Sequence, residues 1–442
     1  MNVFLAKGLI IKIVVITVFY FLDVAMSSSE SSSMHHELRS DLIRPVAEGL
    51  NNELSDIEDF EELESRISRL MRRYDIKGAS VAVAKNGRLV FAKGFGYADT
   101  ETGQPVEPGH MFRIASVSKL VTAVAIMKMQ EQGLLDLDDK VFGPDAILND
   151  EPYLDYVDRR AEDITVRHLL IHSAGWNRRF GDHMFMPHLV ARDLDIELPV
   201  HTPDIIRFAL RRRLHFSPGT GTSYSNLGYA ILGEIIEKIS GRRYEQYVQQ
   251  SILYPLDILD MRIGRNLENE RFEREVKYYG TPNAPVAPSI YDAGTMVSRH
   301  YGGNDIETLG AAGGWIASPA ELLKLVAAID NESGMPTILS DHSISSMINR
   351  SSRGRLIGWT GNDSRGNLWR TGSFAGTTSV VTINGNGLSW AVIFNSSTYR
   401  GSSLSREING QMHTALNNIE NWPDHDLFYL SAEIPELTEY RR

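Results

Sequence analysis

Ser116-Val117-Ser118-Lys119 stands directly ahead of Leu120-Val121-Thr122-Ala123-Val124-Ala125-Ile126-Met127-Lys128-Met129, and the run closes at Gly133. So nearly unbroken an apolar stretch, ended by glycine, predicts a helix buried in a core, with Ser116 and Lys119 in its first turn. Residues three apart on a helix are neighbours, so one face carries a hydroxyl beside an amine. Serine is a poor nucleophile until a base takes its proton, and a lysine kept neutral by an apolar pocket can be that base. A helix N-terminus adds free N–H groups and a positive dipole end, both suited to an oxyanion. The motif alone is weak, since S-x-x-K occurs by chance on the order of once in a chain of this length. Ser116 can also be read as a helix N-cap, and Lys119 as a surface lysine. The apolar setting argues against the latter, because a charged head there is costly without a partner or a task.

Two later constellations strengthen the reading. Tyr224-Ser225-Asn226 follows the Pro218-Gly219 turn and precedes an apolar helix predicted over residues 227–239 and closed by Gly241. In an extended segment Tyr224 and Asn226 point the same way, bringing a phenol and a carboxamide into one cavity. Tyr224 can equally be a packed aromatic, and Asn226 a loop residue making Asx-type bonds. Arg370-Thr371-Gly372-Ser373 lies in a stretch that reads as strand, where Gly372 permits close approach and Arg370 supplies a permanent cation.

The order S-x-x-K, Y-x-N, basic-Thr-Gly resembles the serine β-lactamase and penicillin-binding-protein superfamily. Within it, Y-x-N in place of S-D-N resembles the class C, D-Ala-D-Ala carboxypeptidase and esterase branch. The resemblance runs over residues 57–422 and includes Phe112-Arg113-Ile114-Ala115, residues 165–175, Phe216-Ser217-Pro218-Gly219 and residues 313–319. It implies Ser116 as nucleophile with Lys119 and Tyr224 as the proton-transfer pair, and backbone N–H groups of Ser116 and Ser373 as the oxyanion hole. It also implies Asn226, Arg370, Thr371 and Gly372 as substrate-binding residues, with no metal and no cofactor. His172 is implied to be structural. The implied substrates are amides and peptides of the D-Ala-D-Ala type or β-lactams; a small-ester esterase and a receptor that is acylated without turnover are the alternatives. One position departs from the pattern. Arg370 stands where the family usually carries Lys or His, and a guanidinium keeps the charge but cannot give up a proton.

The 442 residues are 42% hydrophobic and 23% charged, enough for one large domain. With 45 basic and 56 acidic residues the formal charge is -11, and no basic stripe with interleaved aromatics suggests nucleic acid. Arg211-Arg212-Arg213 reads as a solvated helix end, beside a helix predicted over residues 204–210. The chain has no cysteine, which excludes disulfides, thiolate metal sites and a cysteine nucleophile. His183 and His188 lack the i, i+4 spacing of a zinc helix.

Lys7 and Lys12, an apolar run over residues 13–22 and small residues from Ala25 to Ser29 predict a secretory signal peptide or an uncleaved anchor over residues 1–26. The expected location is secreted or in the cell envelope. Residues 27–55 read as a flexible linker and 423–442 as a C-terminal tail. The expected partner is a small-molecule or peptide substrate, with membrane contact only through the N-terminal segment and the oligomeric state left open.

Ile57, Phe60, Leu63, Ile67 and Leu70 predict an amphipathic helix over residues 56–74. Strand runs over 79–84 and 88–94 join at Asn86-Gly87, a hairpin signal, and runs over 379–383 and 388–395 form a second hairpin. Ile408, Met412, Leu416 and Ile419 mark a last helix. Strands at both ends with helices between predict an α/β (α+β) chain. Its antiparallel sheet is built from both chain ends and flanked by helices (about 56–112 and 302–422), with a mostly helical lobe (about 113–301), the β-lactamase/transpeptidase-like arrangement that the resemblance implies. The site then lies in the cleft between them.

Overall fold

Asn86 and Gly87 take φ values of 49° and 76°, the two positive angles of a type I′ hairpin turn. They join β1 (Gly78–Lys85) to β2 (Arg88–Asp99) in the computed structural model, which describes residues 49–349 and 355–429. With β3 (Gln104–Pro105), β4 (Gly361–Asn362), β5 (Leu368–Phe374), β6 (Thr377–Asn384) and β7 (Leu388–Phe394) they form a seven-stranded sheet in the order β3-β2-β1-β7-β6-β5-β4. Every pairing is antiparallel. The two chain ends meet at its centre, where β1 pairs with β7 from Ala79↔Phe394 to Lys85↔Leu388.

Alternation along these strands divides their side chains between two cores. Val81, Val83, Trp390, Val392 and Phe394 join one cluster with α1 (Glu61–Tyr74) and the last helix, Leu404–Leu416, through Leu63, Ile67, Ile408 and Met412. Ala82, Ala84, Ala391 and Ile393 face the other core. That core continues into α2 (Ser118–Glu131), which is buried at every position from Ser118 to Met127, as its lack of a polar face requires. Two further helices pack on it, α3 (Asn226–Ser240) and α4 (Ile306–Gly313). The helix α5 (Pro319–Ala327) covers β1 and β7 on the same side, and Leu404–Leu416 is α6. Each fully buried Leu, Ile, Val, Phe or Met adds roughly 1.5–3 kcal/mol of hydrophobic stabilisation.

The expected architecture is present, with four local corrections. The first helix begins at Glu61, because residues 58–60 form a 3-10 turn that seats Phe60 in the core. Ile419 packs with α6 but lies beyond its end. The linker does not extend to residue 55: Asn52–Ser55 is a 3-10 turn, and the Ser55 hydroxyl bonds both the carbonyl and the N–H of Ala92. Nor does residue 423 begin a loose tail, since Leu427 and Phe428 are buried and the Leu427 N–H donates to the Leu89 carbonyl. In addition, α4 falls inside the span assigned to the sheet lobe yet packs on α2 and α3. The signal or anchor reading of residues 1–26 lies outside the described residues. No helix among those described is long and apolar enough to cross a membrane.

Candidate active site

Ser116 sits in a 3-10 turn, Ala115–Val117, that leads into α2 rather than in the first turn of α2 itself. Ala115 ahead of it has φ 48°, a left-handed conformation that costs a non-glycine residue about 1–2 kcal/mol. The sheet holds this turn in place from behind. Thr377 Oγ1 donates to the Arg113 carbonyl at 2.7 Å, and Ser379 Oγ to the Ile114 carbonyl at 2.6 Å. At Gly372 a Cβ would fall 2.4 Å from both the Ile114 carbonyl oxygen and Ser379 Oγ, and 3.0 Å from Ser116 N. Only glycine lets β5 come this close to the serine.

Around Ser116 the three motifs converge. Its Oγ is 2.6 Å from the Tyr224 hydroxyl and 3.4 Å from Lys119 Nζ. Lys119 is fully buried; it donates to Asn226 Oδ1 at 2.7 Å and to the Ala312 carbonyl. That carbonyl is presented by α4, whose backbone kinks at Gly310, and Thr122 Oγ1 takes the neighbouring Ala311 carbonyl at 2.6 Å. Tyr224 and Asn226 flank Ser225, the N-cap of α3, whose hydroxyl accepts from Gly228 N, and Gly241 ends the helix at φ 66°. A cleft of about 350 Å³ opens here, reached by Ser116, Tyr224, Asn226, Arg370, Thr371, Gly372 and Ser373.

Burial drives the Lys119 ammonium below its usual range; the Tyr224 hydroxyl opposes this, and the Arg370 charge adds to it. Burial pushes the Tyr224 phenol up, but the charges of Lys119 and Arg370 and the bond to Ser116 outweigh it, so its net shift is downward. Both shifts are thus downward in two groups that sit together at a hydrogen-bonded serine. Burial also takes the His172 imidazole well below its usual value, which favours its neutral form. Its Nδ1 accepts from Ser225 N at 3.3 Å and its ring lies 4.7 Å from that of Tyr224, a supporting position behind the tyrosine.

The outer edge of β5 faces the cleft. The Trp369 carbonyl accepts from Thr360 N, and Thr371 N donates to Thr360 Oγ1 at 3.3 Å, so the backbone groups of these alternate residues point away from β6. By the same alternation the Ser373 N–H belongs to the outer edge of β5, and Ser373 lines the cleft together with Ser116.

Arg370 lines the cleft and also bonds the serine backbone. It is 3% exposed, and its Nε donates to the Ser116 carbonyl at 2.8 Å, while Nη2 is buried without a partner among the described residues. Its Nε is thus taken up by the backbone of the serine. Asp182 was not anticipated: Asn226 Nδ2 donates to its Oδ2 at 2.7 Å, although 44 residues separate them and no motif marks the aspartate. The hydroxyls of Thr377 and Ser379 went unnoticed because they read as ordinary strand residues. Arg212 pairs with Asp193 at 2.8 Å at its helix end.

Comparison with known proteins agrees with this geometry. Penicillin-binding protein 4* of Bacillus subtilis (strain 168) is 30% identical over 214 residues, 48% of this chain and 43% of that protein. The chain spans less than half the length of the curated relatives it matches. Among solved structures, the octameric penicillin-binding protein homologue from Pyrococcus abyssi is 27% identical, with a TM-score of 0.61 over 82% of this chain and 79% of that one. The D-amino acid amidase of Ochrobactrum anthropi SV3 has the same fold at 23% identity, with a TM-score of 0.64 over 83% of this chain and 99% of its own. Residues 63–409 match the family described as Beta-lactamase, a span that reaches from α1 to α6 and holds all three motifs, so the chain belongs to that family.

Proposed function

We propose that the protein is a serine hydrolase that works through an acyl-enzyme on amide or peptide substrates of the D-Ala-D-Ala type or on β-lactams. The observation that carries this reading is the Ser116 hydroxyl held 2.6 Å from Tyr224 and 3.4 Å from a fully buried Lys119. Ser116 Oγ attacks the substrate carbonyl as its proton passes to the Tyr224–Lys119 pair. The N–H groups of Ser116 and Ser373 stabilise the tetrahedral oxyanion. The pair then returns the proton to the departing nitrogen, the C–N bond breaks, and water releases the acyl group by the same route in reverse.

The relatives' names, penicillin-binding protein and D-amino acid amidase, support an amide-type substrate. The N-terminal sequence supports export to the cell envelope or medium, which fractionation of cells expressing the full chain tests. For the chemistry, a fluorophosphonate or fluorescent penicillin is expected to label a single tryptic peptide, the one containing Ser116. Ser116→Ala is expected to abolish labelling and turnover of a panel of chromogenic cephalosporin, short-chain ester and D-Ala-D-Ala peptide. Labelling that survives in Ser116→Ala rejects the reading.

A further inference from the structure

Among the described residues that line the cleft, Asp182 is the one acid, and the hydrolytic steps above leave it unused. No cation among the described residues forms an ion pair with it. Its Oδ2 accepts from Asn226 Nδ2 at 2.7 Å and its Oδ1 from Met184 N at 3.2 Å. A carboxylate offers about four acceptor positions, so about two remain open. Burial raises its pKa, against the pull of the bonds from Asn226 and Met184 and the charges of Lys119 and Arg178. A carboxylate with open lone pairs and no direct ion pair among the described residues, at the wall of a substrate cleft, can take a cationic donor brought by the ligand.

Its place relative to the reacting atoms is defined by a short relay. Lys119, which touches Ser116 Oγ, donates to one end of the Asn226 amide, and Asp182 accepts from the other end. One side-chain amide therefore separates the aspartate from the lysine beside the nucleophile. In an amino-acid amide or ester, one carbon separates the ammonium from the carbonyl under attack. We propose that Asp182 anchors a free ammonium group carried next to the scissile carbonyl, which makes amino-acid amides, esters and peptides with an unblocked amine the preferred substrates over N-acylated ones. The proposal rests on the hydrolase reading of the same cleft. An ammonium supplies three donors and a charge, whereas an N-acyl group supplies one donor and brings a carbonyl oxygen toward the carboxylate. The rings of Phe185 and Phe374, 5.9 Å apart, add an apolar surface to the cleft for the side chain of such a substrate.

Binding can be read without turnover. In Ser116→Ala, calorimetry compares D-phenylalaninamide with its N-acetyl derivative and with 3-phenylpropanamide, which lacks the amine. The free amine is expected to bind at least about tenfold tighter than either, as a charge-assisted hydrogen bond in a buried site provides, and the ratio is expected to fall to about one in Ser116→Ala/Asp182→Asn. Equal binding of the three ligands, no binding of any, or a preference that persists without the Asp182 charge overturns the proposal. The three-ligand comparison needs no change at Asp182, so misfolding of the double variant leaves it decisive. Labelling of wild-type Ser116 is measured separately: its loss rejects the hydrolase reading, whereas intact labelling with no amine preference rejects the ammonium anchor alone.

Discussion

Arg370 Nε donates to the backbone carbonyl of Ser116 at 2.8 Å, which ties the basic residue of the third motif to the proposed nucleophile itself. The side chain is buried, and its charge acts on Lys119, Tyr224 and His172 together. Arginine at this position is thus part of the scaffold that aims the serine. This explains how a residue unable to release a proton fits there.

Arg370→Ala is accordingly expected to lower kcat/KM by about 1.5–3 kcal/mol, the worth of a hydrogen bond to a charged group, on a neutral short ester and on a carboxylate-bearing substrate alike. Arg370→Lys restores charge without the Nε geometry and should recover only part of the loss. Steady-state kinetics on both substrates check this. A loss confined to the carboxylate-bearing substrate would instead make Arg370 a substrate clamp.

The base is tested through pH. Lys119 accepts a proton only when neutral, and its pKa in the folded protein is lowered, chiefly by burial. Activity should rise with pH through this lowered value, below the range of an ordinary lysine. Tyr224 and Arg370 act on the ammonium from the α3 and β5 sides, the Tyr229 ring lies 5.6 Å away, and Asp182 acts from beyond the Asn226 amide. Removing the Arg370 cation relieves a lowering influence, so the rising limb of Arg370→Ala should move to higher pH. Lys119→Arg stays protonated at any workable pH and should be as inactive as Lys119→Ala. A near-normal rate in Lys119→Arg would show that charge alone is needed.

Tyr224→Phe removes the 2.6 Å partner of Ser116 Oγ and leaves Lys119 at 3.4 Å. A loss in kcat of about a hundredfold or more is expected, within the usual span of one proton-transfer group. The variant should still be labelled by a fluorophosphonate, more slowly. Wild-type kcat would assign the proton transfer to Lys119 alone.

The sheet, the buried helix and the three motifs were legible because each rests on local information. Asn86-Gly87 encodes a hairpin in two residues, the run from Leu120 to Met129 has no polar face, and Gly241 closes the apolar run of α3. What remained hidden depends on distant chain segments meeting. Nothing near Asp182 marks it as the partner of Asn226, and nothing near Arg370 says that its Nε will meet the Ser116 carbonyl. Helix starts shifted where a 3-10 turn precedes the α-helix, at residues 58–60 and 115–117, since apolar spacing does not distinguish the two over a single turn. Leu427 and Phe428 were read as tail because two apolar residues have no period.

Two glycines give the closing contrast. At Gly372 a methyl group would fall 2.4 Å from the Ile114 carbonyl oxygen and Ser379 Oγ, atoms already hydrogen-bonded to each other at 2.6 Å. Either β5 retreats from the serine or the bond between Ser379 and Ile114 breaks, and both displace the turn that carries Ser116. Gly372→Ala should therefore destabilise the fold by about 1–3 kcal/mol, as overpacking does in a dense core, and should slow Ser116 labelling in whatever protein remains folded. Gly410 lies in α6, exposed, with no atom within 4 Å of a Cβ placed there. Gly410→Ala should raise stability by about 0.5–1 kcal/mol through helix propensity and leave labelling untouched. Thermal melts and labelling rates of the two variants, measured side by side, separate close packing at the site from a general effect of adding a methyl group. A Gly372→Ala protein that melts and labels like wild type would mean that β5 does not press against the nucleophile.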